Sequence, residues 1–467
     1  MYVSSLAHVL SISGYHMALV AGVVFFVFRA GFALLASFAS RYPIKKFAAT
    51  AALAVAAFYL VLSGAAVATQ RSFIMLSVVL LAVMLDRTAL TLRTLAIAAL
   101  AVLLITPEAL VHPSFQMSFA ATLALIAVYG NGLGWGRPKP DNLLHVRVAL
   151  WGAREIVALI LASLVAGIAT TPYAAYHFHR AAPYGVLANL LAMPIVSLWV
   201  MPMGLLAVLM LPFGFDGFFW RSMGEGIRWM DAVALWVAGL PGAVGRISAF
   251  GMGPLLLFTA GLLLVCLLRT PLRWSGGIAA VVASLWALAT PAPDILVASD
   301  GRVVAARGSN GRLALIKSET DGFAVREWLA ADADARVPGD PSLAEGTKCD
   351  AAGCVARLAD GSFLALALSP EAFEDDCRRA AVVVTAGDGP SSCTSIVSDR
   401  QSRQRSGAVS LRRAGDGFAI TPTRPPGYDR PWARAVPSGG AAETSAPGTR
   451  PTARDATPRA EDLEPGD

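Results

Sequence analysis

Apolar residues recur along the first part of this chain in runs of helical length, not in the short alternating stretches of half-buried strands. The runs are Met17–Phe28, Thr50–Leu62, Phe73–Leu85, Leu95–Ile105, Phe119–Val128, Ile156–Thr170, Gly185–Leu211, Leu255–Leu268 and Ile278–Ala289. Several reach full length only with flanking Ser, Thr and Gly. A bilayer crossing needs roughly 20 such residues, and a soluble core cannot absorb so many separate runs. The pattern predicts a mainly α fold over residues 1–290, a polytopic transmembrane helical bundle of about ten spans. Two stretches fit poorly. Trp229–Leu240 is short and holds Asp231, and reads as a tilted span, a re-entrant helix or an interfacial helix. Tyr184–Leu211 holds Pro194 and Pro202, which are expected to break it. Either change alone would flip the side of the C-terminus; both together would cancel.

After Pro291 the period changes. Ile295–Val297 and Val303–Ala305 flank Ser299-Asp300-Gly301, and Val355–Leu358 and Phe363–Leu368 flank Asp360-Gly361, both hairpin signals. Asn310-Gly311 precedes Leu313–Ile316, while Phe323–Ala331 and Pro370–Arg379 read as short helices. Residues 292–422 therefore form a small α/β domain. Residues 423–467 are a Pro/Arg/Ala-rich tail, expected to be disordered.

Charge refines this picture. The chain has 467 residues, 55% hydrophobic and 15% charged, with a net charge of +6. In a membrane protein such an excess belongs first to cytoplasmic loops, not to a nucleic-acid partner. Basic residues cluster in alternate loops: Arg41, Lys45 and Lys46; Arg87 and Arg93; Arg137, Lys139, Arg147 and Arg154; Arg221 and Arg228; Arg269 and Arg273. The loops between carry Arg71, Arg180 and Arg246. This alternation places the first span entering from outside and the α/β domain outside the cytoplasm of a multi-pass inner-membrane protein. Met1–Leu6 holds no basic residue, so the start does not read as a signal peptide. Cys349, Cys354, Cys377 and Cys393 lie in the outer domain, an even set that suggests two disulfides. Three pairings are open, of which we favour Cys349–Cys354 with Cys377–Cys393. Zinc is the competing reading, disfavoured because no histidine and no CxxC spacing accompanies these cysteines. Cys266 lies in an apolar run and reads as a small hydrophobe.

Four polar stretches interrupt the apolar pattern. The first runs from His8 through Ser13, Gly14 and His16. Gly14 would let a helix or ligand approach closely, although helix packing with interfacial anchoring explains the stretch equally well. The eight-residue gap between His8 and His16 does not suit a metal pair. In the second, Gln70 adjoins Arg71 at the start of a span. Arg71 is either a snorkelling anchor or a cation on a water-filled path that attracts phosphate. In the third, Ser114 suits a helix cap, and Gln116 and Ser118 enter the span, where they either bridge helices or line a conduit. The fourth joins Pro172, His177, His179, Arg180, Asn189 and Pro194, with both histidines expected on a solvated outer surface.

The segments HVLSISGYHMALVAG, ATQRSFIM, DRTALTLRTLA and PEALVHPSFQMSFAA occur in this order, and together they resemble the competence domain of ComEC-type proteins over roughly Ser4 to Ala289. The resemblance implies an inner-membrane channel that passes single-stranded DNA into the cytoplasm during natural transformation. His8, Ser13, Gly14, His16, Gln70, Arg71, Ser114, Gln116 and Asn189 are then the candidate residues of the path. The implied partners are single-stranded DNA, the lipid bilayer, a DNA receptor outside, a helicase-like protein inside and further copies of the chain. No cofactor and no metal are implied, and no enzymatic role. Many relatives end in a metallo-β-lactamase domain that needs an HxHxDH cluster, whereas the last histidine here is His179. Relatives also carry spans and a small β-barrel before the His8 motif. That difference suggests a truncated chain, a mis-set start or one part of a split system. The alternatives are a transporter or flippase for a small or lipidic envelope substrate, an envelope hydrolase, and a non-functional remnant of a larger gene.

Overall fold

The computed structural model describes residues 6, 14–65, 67–88, 91–130, 144–317, 322–415, 417–425 and 427. His8, Ser13 and the tail from residue 428 lie outside the described residues. Two compact units emerge: residues 1–294 with 307–315 and 320–345, and residues 295–306 with 316–319 and 346–467.

The first unit is helical. It runs α1 (Gly14–Leu34), α2 (Ala36–Arg41), α3 (Ile44–Leu62), α4 (Val67–Met84), α5 (Leu92–Ile105), α6 (Pro113–Gly130) and α7 (Leu144–Phe178). It continues through α8 (Gly185–Ile195), α9 (Met201–Met210), α10 (Asp216–Ala238), α11 (Met252–Leu267) and α12 (Arg273–Leu288). Among the described residues, five stretches are long and apolar enough to cross a membrane: Gly14–Leu34, Ile44–Leu62, Pro113–Gly130, Leu150–Phe178 and Gly185–Phe213. Ala68–Met84, Leu92–Ile105 and Met252–Leu267 are shorter apolar helices. The expected count of about ten spans is not supported. Some apolar runs form helices shorter than a bilayer crossing, and the doubtful Trp229–Leu240 run lies inside the charged helix α10. That helix is amphipathic, burying Gly226, Met230, Ala234 and Val237 along one stripe.

Lipid cannot satisfy backbone polar groups, so proline-bearing runs must remain helical by other means. In α7, Pro172 lacks an N–H and so leaves the Ile168 carbonyl without its helical donor, yet the helix runs on to Phe178. The run with Pro194 and Pro202 does not break as expected. It widens into a π-helical turn at Val196–Val200 and continues as α9.

Small residues set the packing. Ala49, Ala52 and Ala56 of α3 bury against Met17 and Ala21 of α1 and Leu80 of α4. Helices α11 and α12 pack through glycine. A Cβ on Gly261 would lie 2.6 Å from the Gly276 carbonyl oxygen, so neither position admits a side chain without moving a helix. The loops sort to two ends. At one end Lys46 pairs with Asp86 at 2.7 Å, and Arg87, Arg93 and Arg269 line one recess. At the other, β1 (Arg180–Ala181) pairs with β2 (Gly245–Arg246). The segment holding Gly322–Ala331 joins this unit, with the Ala249 N–H donating to the Ala331 carbonyl at 2.7 Å.

The chain after Pro291 forms two five-stranded sheets. With strands numbered in chain order, β3 (Ile295–Val297), β4 (Val303–Arg307), β5 (Leu313–Lys317), β11 (Val409–Ala414) and β12 (Gly417–Pro422) take the order β12-β11-β3-β4-β5. The other sheet has the order β10-β9-β8-β7-β6, built from Ile396–Ser398, Val382–Thr385, Phe363–Ala367, Gly353–Arg357 and Thr347–Cys349. Alternate residues meet in one core: Ile295 and Val297, Val304 and Ala306, Leu364 and Leu366, Val382 and Val384. The opposite faces of β8 and β9 are buried too, by Ala365, Ala367 and Val383 against Phe373 and Cys393. These two strands are parallel and hence apolar on both sides. Disulfides join Cys349 to Cys354 and Cys377 to Cys393.

Arg403 holds this unit's strand ends together. It is 3% exposed. It donates to the carbonyls of Ser398, Thr385 (2.7 Å), Ser299 (3.3 Å) and Asp300 (3.4 Å). Gly301 has φ +72° and packs against the guanidinium, so a side chain there is excluded twice. Buried carbonyls left unpaired each cost about 1–3 kcal/mol. Arg403→Met should therefore destabilise this unit by about 3 kcal/mol or more. Differential scanning calorimetry of the purified chain would register this as a fall of several degrees in the transition that reports the disulfide-bearing unit.

Candidate functional site: a polar cluster at one end of the bundle

The polar stretches around Arg71, Ser114 and His177 are far apart in sequence, but helix ends bring them together. Helix α4 begins just before Arg71, α6 begins with Pro113 and Ser114, and α7 ends just after His177. Between α5 and α6 a 3₁₀ turn, Pro107–Val111, presents its carbonyls to the start of α6.

Arg71 is 8% exposed, and its Nη1 donates to Ser114 Oγ. His112 Nδ1 accepts from the Ser114 backbone N–H at 3.3 Å and lies 3.1 Å from Ser114 Oγ. Ser114 Oγ accepts from Arg71 and contacts His112, which links a buried cation through a hydroxyl to an exposed imidazole. Among the described residues Arg71 has no carboxylate partner, although a guanidinium carries five donors.

Gln116 is fixed in a second chain. Its Nε2 donates to the Leu110 carbonyl at 3.0 Å, leaving Oε1 to accept from His177 Nε2 at 2.8 Å. This amide bridges α6 and α7, the helix-bridging alternative weighed for it above. His177 is half-buried, not on a solvated surface as expected. His179 likewise buries its Nδ1, without a hydrogen-bond partner among the described residues. Beside the cluster, the tilted Phe115 and Phe119 rings have centroids 4.4 Å apart and pack with Ala98 and Val102.

The remaining candidates spread around this core. Gly14 lies near the cluster, where a Cβ would stand 3.6 Å from Ser72 Oγ, an ordinary contact. Close approach thus does not require glycine there. His16 makes an edge contact with the Tyr15 ring, and the Tyr15 hydroxyl donates to Ser197 Oγ at 2.5 Å in the π turn. Gln70 is exposed and donates to the Ala65 carbonyl at 2.6 Å, so it does not join Arg71. Asn189 stands apart on α8, with Oδ1 buried and unpartnered among the described residues. The sequence reading passed over His112, whose position directly before Pro113-Ser114 was the available signal. It also passed over Thr69, which is fully buried with an unpartnered Oγ1.

The sequence model of the competence protein family matches residues 1–272. The chain is similar to ComE operon protein 3 of Bacillus subtilis (strain 168), 24% identical over 267 residues, which cover 56% of this chain and 30% of that relative. The chain thus spans under a third of the relative's length. No solved structure matches it.

A buried charge without a counter-charge is expensive, so exchanging it for an apolar group of similar volume removes a desolvation cost. Arg71→Met should therefore leave the thermal unfolding midpoint of the purified chain unchanged or raised. A drop of many degrees would mean that Arg71 is a structural strut.

Proposed function

The chain belongs to the competence protein family, and we propose that it is a bacterial inner-membrane component that passes single-stranded DNA toward the cytoplasm during natural transformation. The observation that carries this reading is Arg71: a buried guanidinium held by one neutral hydroxyl, with no acid beside it among the described residues. Such a group suits a transient anionic ligand, and the phosphate backbone of a nucleic acid supplies one at every nucleotide. Exposed His112 lies on the route to it. Rotation of Ser114 away from Arg71 would free the guanidinium for phosphate. On this reading the Phe115–Phe119 layer beside it parts when a strand passes.

Loop charge supplies the direction. The end with Lys46, Arg87, Arg93 and Arg269 faces the cytoplasm, and the end with Arg71 faces outward. The two disulfides of the second unit favour an oxidising compartment, which supports a location for that unit outside the cytoplasm as well. A receptor would deliver DNA at the outer end and a helicase-like protein would draw it in at the other.

The test compares a deletion strain complemented with the wild-type chain or with Arg71→Met, using labelled DNA. The expected result is unchanged surface binding and at least a tenfold drop in nuclease-protected label. Normal uptake in the deletion strain together with a leaky envelope would instead support transport of a small or lipidic substrate.

A further inference from the structure

The opposite end of the bundle carries a feature that strand passage does not use. The C-terminal ends of α4, α6 and α11 and the start of α5 enclose a recess of about 910 Å³. Three cations line it: Arg87, Arg93 and Arg269. None of the three makes an ion pair among the described residues, whereas the neighbouring Lys46 is paired with Asp86. Thr88 adds a hydroxyl at the rim. The wall is apolar. Leu81 and Leu267, on two different helices, are 45% and 50% exposed.

The start of α5 is also fixed in place. Thr91 Oγ1 accepts from the Thr94 N–H at 3.2 Å, and Thr94 Oγ1 accepts from the Thr91 N–H at 3.0 Å. This box stops the helix from fraying. Arg93 thereby stays at the helix's positive end, where an anion is favoured.

We propose that this recess binds an anionic phospholipid, its headgroup phosphate held by Arg87, Arg93 and Arg269 and its acyl chains lying along the leucine wall. The arrangement answers two chemistries at once. Three guanidinium groups without an ion pair among the described residues call for a doubly or singly charged phosphate, and the exposed leucines call for hydrocarbon. A free phosphate would meet only the first and a neutral lipid only the second. The volume exceeds what a headgroup alone fills. Basic recesses between spanning helices on the cytoplasmic side are where such headgroups are physically favoured. The bound lipid would tie α4, α5, α6 and α11 together at one end while the Phe115 layer parts, leaving the polar cluster free to rearrange.

The purified full chain is placed in nanodiscs of phosphatidylcholine alone, or with cardiolipin or phosphatidylglycerol, and retained lipid is counted by native mass spectrometry. The wild type should retain anionic lipid at least fivefold over phosphatidylcholine and gain thermal stability from it. Arg87→Ala/Arg93→Ala/Arg269→Ala should lose both effects. The corresponding triple lysine variant, which keeps the charge, should retain the preference and show that loss is not misfolding. Equal retention of phosphatidylcholine, or anionic retention unaltered by the alanine substitutions, would overturn the proposal. So would protection by glycerol phosphate alone equal to that by lipid, or a single-stranded oligonucleotide competing where anionic lipid does not.

Discussion

Lipid offers no hydrogen bonds to a peptide group, and that constraint organises the first unit of this molecule. Each apolar run must close its own backbone bonds as helix, even across proline. The π turn at Val196–Val200 is a local answer to that demand. Side chains obey it as well. The polar groups of the cluster gather where α4 and α6 begin and α7 ends, and bond to one another there, while Phe115 and Phe119 pack beside them. Helix–helix contacts rely on alanine and on the Gly261–Gly276 approach, since apolar attraction between helices has little force in an apolar solvent.

Much of this was legible in the chain. Apolar runs marked the helices, and the turn residues at Gly301 and Gly361, both with positive φ, marked the hairpins of the second unit. Those signals are local. The span count was not legible, because a run of apolar residues does not disclose how much of it folds as one straight helix. In α7 a single helix continues for 35 residues, whereas α5 has 14. The broken-helix expectation at Pro194 failed for a similar reason: a widened turn can replace a break. For the site, Arg71 and Ser114 stood out because charge and hydroxyl are rare in apolar runs. Their bond, and the roles of His112 and His177, depend on which helix ends adjoin. Hydropathy carries no record of adjacency. The assignment of residues 320–345 to the helical unit was hidden for the same reason, since it rests on tertiary contacts such as that of Ala249 with Ala331.

The two ends of the helical unit differ in the kind of positive charge they hold. At one, Arg71 is buried and held by a hydroxyl; at the other, Arg87, Arg93 and Arg269 are exposed beside leucine. A buried guanidinium with few partners costs stability and is poised to exchange them, which suits a ligand in transit. Exposed arginines at the rim of an apolar recess suit a ligand that stays. On this account the molecule binds phosphate in two ways, transiently at the outer end and structurally at the inner one.

The claim on which these readings converge is that the Arg71–Ser114–His112 cluster borders water at the outer face of a membrane-embedded bundle. Cysteine accessibility measures it directly. In a Cys266→Ala background, with the other four cysteines joined as disulfides, Ser114→Cys should react with a charged, membrane-impermeant thiol reagent applied to the outer face of spheroplasts, and single-stranded DNA should slow that reaction. Labelling only after the membrane is dissolved, or only from the cytoplasmic side, would contradict the account.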